Sequence, residues 1–141
     1  MNSTTNNTKI IIQHDSPYNG PVYSLSIDRN GNIEYNGIRN VKTLGKVVSK
    51  ISPEDLKRVL REFNDVYFFS FKDSYEIISG QSSLKQEHQQ TSISLTLGSN
   101  HKNVKYLEGA YRIPPTLKFL VKTIEGITKV DKLTGQVNGT M

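Results

Sequence analysis

Three histidines are the residues best suited to acid–base or metal chemistry: His14, His88 and His101. An imidazole titrates near neutral pH and works best when a partner fixes its tautomer. His14 precedes Asp15, whose carboxylate could orient it. A hydrolase-like enzyme would use that pair as base and orienting acid. No serine or second acid stands at a spacing that completes a triad, although triads assemble in space rather than in sequence. A polar pair at a strand end is the commoner use of such residues. His88 follows Glu87 but lacks the second histidine of a His-Glu-x-x-His zinc helix. His101 falls in a turn-like stretch, Gly98 to His101. With no cysteine in the chain, thiolate nucleophiles, disulfides and sulfur-based metal sites are excluded. The glycines form neither phosphate-binding pattern. Asp28, Asp65, Asp73 and Glu108 sit at turn or edge positions, so no carboxylate pair stands out. The expectation is no metal, no cofactor and no enzyme.

Basic residues are the second chemistry to weigh. The net charge is +5 and the isoelectric point near 9.4. Arg39, Lys42, Lys46 and Lys50 form the densest group, with Lys57, Arg58 and Arg61 close behind. Such a surface could bind nucleic acid. The charge is nevertheless even: nine basic against seven acidic residues in 1–70, and nine against six in 71–141. A nucleic-acid footprint is usually concentrated, and edge-strand lysines often serve only to prevent edge-to-edge pairing. Nucleic acid is therefore a possible partner that is not favoured.

These residues need elements to position them. Lys9 to Gln13 reads as a strand. In Val22 to Asp28, Tyr23, Leu25 and Ile27 alternate with polar residues, the period of a strand with one buried face. Asn30-Gly31 is a strong hairpin signal, and Ile33 and Tyr35 continue the alternation to Asn36-Gly37. Val41 to Leu44 and Lys46 to Ile51 add one more strand. Ser52, Pro53 and Asp55 mark a helix start. Leu56, Val59, Leu60 and Phe63 then form one apolar stripe. Ser74 to Gln90 is polar and reads as a long loop, a common place for function. Ile93, Leu95 and Leu97 alternate again, Val104 and Tyr106 return, and Pro114-Pro115 opens a second helix with stripe Leu117, Leu120, Val121 and Ile124. The fold expected is α+β: two layers, an antiparallel sheet of hairpins covered by two amphipathic helices, a ββα-type unit used twice.

At 141 residues the chain suits one domain, spanning 9–128, with polar tails at 1–8 and 129–141. No stretch has the roughly 18 apolar residues of a membrane helix. The polar N-terminus lacks the basic start and apolar run of a secretory signal, so a cytoplasmic protein is expected.

The order Pro21-Val22-Tyr23-Ser24-Leu25-Ser26-Ile27, Asn30 to Gly37, Gly45 and Ile51 to Leu56 resembles the DUF6438 family of uncharacterised domains. Phe68 to Tyr75, Thr91-Ser92-Ile93 and the Pro-Leu helix extend the resemblance over residues 9–128. It supports the fold plan and implies no reaction. Relatives typically carry two cysteines before the Pro-x-Tyr strand, at places that look like Ser16 and Gly20 in this sequence. Any redox or metal role tied to them is therefore absent. The leading expectation is a small non-enzymatic domain that binds a protein or small ligand through loops 16–20 and 74–90. The candidate contacts are Tyr18, Asn19, Tyr75 and His88.

Overall fold

The computed structural model describes residues 7–17, 19–77 and 88–135. Among these, seven strands and three α-helices make an α+β fold. The strands are β1 (Thr8–Asp15), β2 (Val22–Asp28), β3 (Asn32–Arg39), β4 (Gly45–Lys50), β5 (Ser74–Tyr75), β6 (Gln90–Leu97) and β7 (Asn100–Leu107). The helices are α1 (Pro53–Asp65), α2 (Pro115–Thr128) and α3 (Val130–Thr134). One sheet runs β4-β3-β2-β1-β6-β7-β5. Every pairing is antiparallel except β5 with β7.

Local chemistry explains the elements. At the β2–β3 turn the Asp28 carboxylate accepts from the backbone amides of Asn30 (2.8 Å) and Asn32 (3.0 Å). Gly31 takes the positive φ of 81° that the turn requires. α1 starts at the expected cap, where Ser52 Oγ accepts from the Asp55 amide at 3.0 Å.

Register puts the apolar strand residues on one face. Ile10 faces Ile27 and Leu95, and Ile12 faces Leu25 and Ile93. Ile33 and Tyr35 extend the row on β3, and Val104 on β7. All are buried, in one cluster with Val59 and Phe63 of α1 and Leu117, Leu120, Val121 and Ile124 of α2. Phe63 meets Phe68 edge-to-face at 4.9 Å. The opposite face is mostly polar, with Ile11, Ile38 and Val48 exposed among its polar residues. Across it run Lys46, Asn36, Ser24, Gln13, Ser92 and Lys105, each facing the next on the neighbouring strand.

Several boundaries differ from the sequence reading. Residues 41–44 do not extend a strand. The amides of Lys42 and Thr43 instead bond the carbonyls of Thr134 (3.1 Å) and Leu133 (2.8 Å). These acceptors belong to α3, which lies in the stretch assigned to the C-terminal tail. Val130 and Thr134 are buried there, after the chain turns at Lys129 with φ 65°. His101 lies on β7, not in the turn, and its Nδ1 is 2.8 Å from Thr96 Oγ1. The 74–90 stretch is not wholly loop: Ser74–Tyr75 forms β5 and Gln90 begins β6. Residues 1–6, 78–87 and 136–141, and Tyr18, lie outside the described residues.

Candidate functional site

Two places gather polar side chains. The first lies on the core side of the sheet. Tyr23, His14, Thr91 and Tyr106 occupy consecutive partner positions across β2, β1, β6 and β7. They share the face of Leu25, Ile12, Ile93 and Val104, so four polar side chains continue an apolar face. α2 brings Glu125 to them. Its Oε2 accepts from the Tyr23 hydroxyl at 2.6 Å and lies 3.1 Å from His14 Nε2. Thr91 Oγ1 is 3.0 Å from His14 Nδ1. The His14 and Tyr23 rings lie 4.6 Å apart. Burial pushes the Tyr23 hydroxyl far above the ordinary tyrosine range, and the Glu125 charge and hydrogen bond push it further. Burial also raises Tyr106, partly offset by a hydrogen bond with Thr91.

Glu125, His14 and Thr91 thus stand in the order carboxylate, imidazole, hydroxyl. That is the sequence of contacts that activates a hydroxyl nucleophile. Thr91, however, is only 2% exposed. A reacting carbonyl must come within about 3 Å of the nucleophile, and the hydroxyl is shut off from such an approach. What the contacts do is satisfy one another: no buried side-chain nitrogen or oxygen among the described residues lacks a partner. Asp15 takes no part. Its carboxylate accepts from the Ser16 amide at 3.1 Å, while Glu125 orients His14.

The second place is a hollow of about 250 Å³ at the same end of the sheet. Gln13, Asp15, Val22, Ser24, Ile38, Gln90 and Ser92 line it, together with His14 and Tyr23 of the first place. Gln13, Ser24 and Ser92 belong to the polar face, away from the core. The turn 16–20 adjoins it. Ser16 Oγ accepts from the Gly20 amide at 3.0 Å, and the Ser16 carbonyl accepts from Arg39 at 2.6 Å. Asn40 Nδ2 donates to the Gly20 carbonyl at 3.2 Å. A Cβ at Gly20 would collide with Ser16 Oγ and sit 2.7 Å from Gln89 Nε2. The turn and the segment entering β6 therefore touch.

The family model for a domain of unknown function, DUF6438, matches residues 9–128. The chain belongs to the DUF6438 family. No curated protein matches it. In this DUF6438 chain, the two positions aligned by resemblance with cysteines, Ser16 and Gly20, are in direct contact. Asn19 is exposed on the same turn. His88 Nδ1 is 3.1 Å from the Glu108 carbonyl oxygen, at the end of β7. Tyr75 packs against the core, and its hydroxyl accepts from the Lys72 amide at 3.0 Å.

The basic residues of this DUF6438 domain divide. Lys46 and Lys50 alternate with Val47, which packs on the core, so they point to the polar face. Lys57, Arg58 and Arg61 are exposed on α1, whose Val59 and Phe63 enter the core on the other side. Arg39 is committed to the 16–20 turn. Sequence reasoning missed Glu125, Thr91 and Tyr106. The available signal was phase: His14 and Thr91 sit in step with buried isoleucines, where a polar residue needs a partner.

Proposed function

We propose that the protein is a small non-enzymatic binding domain. It takes a small polar ligand, or a side chain of a protein partner, in the hollow beside the 16–20 turn. Gln90, at the end of the 74–90 segment, supplies part of its wall. The observation that carries this reading is the position of the hollow. It opens on the sheet face that the core leaves unused, and its lining offers Gln13, Ser24, Gln90 and Ser92 as neutral donors and acceptors. Ligand sites combine a concavity with a few such groups. Asp15 at the rim favours a ligand that donates hydrogen bonds. The inward-turned Glu125–His14–Thr91 relay supports a structural role over a catalytic one.

Two finer points of architecture support the same reading. We infer that α1 and α2 form a second layer on the core side only, leaving the polar face to partners. We infer also that a ββα-type unit is used twice. The β2–β3 hairpin leads through β4 to α1, and the β6–β7 hairpin leads to α2. A cysteine-free chain suits the cytoplasm, the compartment we favour. Division of the basic residues over both sides of the sheet gives nucleic-acid binding less support than a local polar site.

Amide chemical shifts in the presence of a fragment set of small amides, polyols and amines test this directly. The expected outcome is a focus of shifts at Gln13, Ser24, Gln90 and Ser92. Shifts focused on Glu125 and Tyr106 would contradict it. Oligonucleotide binding that falls steeply with salt would move the function to the basic residues.

A further inference from the structure

Among the described residues, β4 ends the sheet and has β3 as its one sheet neighbour. An edge strand presents a row of unpaired amides and carbonyls that can template another strand. The opposite edge is the two-residue β5, so β4, with six residues, is the longer outermost strand. Its side chains on the polar face are Lys46, Val48 and Lys50. Val48 is 66% exposed. Lys46 reaches Glu34 at 3.8 Å, with both side chains more than half exposed. A pair that loose contributes little and leaves Lys46 open to a second carboxylate.

Charge selects the occupant. Two copies of β4 paired antiparallel with Val48 opposite Val48 would set Lys46 against Lys50 twice. Like charges directly opposite destabilise a sheet. An extended segment reading acidic, any, apolar, any, acidic would place a carboxylate against each lysine and an apolar side chain against Val48. We propose that β4 is a strand-addition site for an acidic extended segment of a partner protein, with pattern acidic-x-apolar-x-acidic. The lysines then act in both directions, rejecting a second copy and selecting the partner. Backbone bonds supply the affinity and the alternating side chains the selectivity. The site is separate from the hollow and stands whether or not the hollow binds.

The test uses the full chain and two fluorescent heptapeptides, Thr-Glu-Thr-Val-Thr-Glu-Thr and Thr-Lys-Thr-Val-Thr-Lys-Thr. The acidic peptide should bind at least about tenfold more tightly, the combined effect of two cross-strand charge pairs. Amide hydrogen exchange in residues 45–50 should slow on binding. The exposed double variant Lys46→Glu/Lys50→Glu should reverse the preference. Equal binding of the two peptides would overturn the proposal. So would binding of the acidic peptide with unchanged exchange in 45–50, or protection of 45–50 through self-association of the free protein.

Discussion

Tyr23 shows how one hydroxyl couples a strand to a helix 102 positions away. It donates to the Glu125 carboxylate at 2.6 Å, and its ionisation is opposed first by burial and then by that charge. The folded protein therefore holds this proton at a pH where the unfolded chain, titrating near 10.0, releases it. The unfolded state then binds fewer protons, so stability falls as pH rises. Burial raises Tyr35 as it does Tyr106, so stability contributed by Tyr23, Tyr35 and Tyr106 should be complete below about pH 10 and decline above it. Urea unfolding midpoints at about pH 8 and about pH 11 measure this. Tyr23→Phe should cost about 1.5–3 kcal/mol at neutral pH, the range for a hydrogen bond to a charged group. It should also flatten the alkaline decline. At this scale the sequence was only partly legible. His14 was visible as a candidate, but Asp15 was the wrong partner. A strand's neighbours in sequence point to its opposite face, and the true partner lay on a helix 111 positions away.

Elements were read more faithfully, because their signals are local. Asn30-Gly31 closes the β2–β3 hairpin, and Ser52 caps α1. The failures occurred where a distant segment decided the outcome, as where α3 takes up the amides of Lys42 and Thr43. Two glycines test this reading of the elements. Gly37 of β3 faces Tyr23 and Gly45. A Cβ there would collide with the Thr43 carbonyl and lie 2.7 Å from the Tyr35 hydroxyl, which itself donates to that carbonyl at 2.9 Å. Gly37→Ala should destabilise by about 1–3 kcal/mol through overpacking. Gly126 in α2 has nothing within 4 Å of a built Cβ. Gly126→Ala should stabilise by about 0.5–1 kcal/mol, the helix-propensity gain. Denaturant unfolding of both variants checks the opposite signs.

The molecule as a whole divides its polar chemistry between the two faces of one sheet. On the core side, Tyr23, His14, Thr91, Tyr106 and Glu125 satisfy each other beside α2. On the other side, Gln13, Ser24, Gln90 and Ser92 line a hollow that His14 and Tyr23 also border, next to a tightly latched turn. Alternation along each strand made the two faces legible from sequence. The hollow was not, because it depends on the positions of β1, β2, β3 and β6 together. The central claim is that the polar face binds and the Glu125 cluster holds the fold. Its most direct measurement is binding of the strongest-shifting fragment, with thermal unfolding, for Gln13→Ala/Ser92→Ala and for Glu125→Ala. The double variant should lose binding about tenfold and stay within about 0.5 kcal/mol of the parent stability. Glu125→Ala should lose about 1–3 kcal/mol by stranding Tyr23 and His14, yet lose less binding than the double variant where it is folded. Unchanged binding by the double variant, or a loss of binding by folded Glu125→Ala as large as the double variant's, would contradict the account.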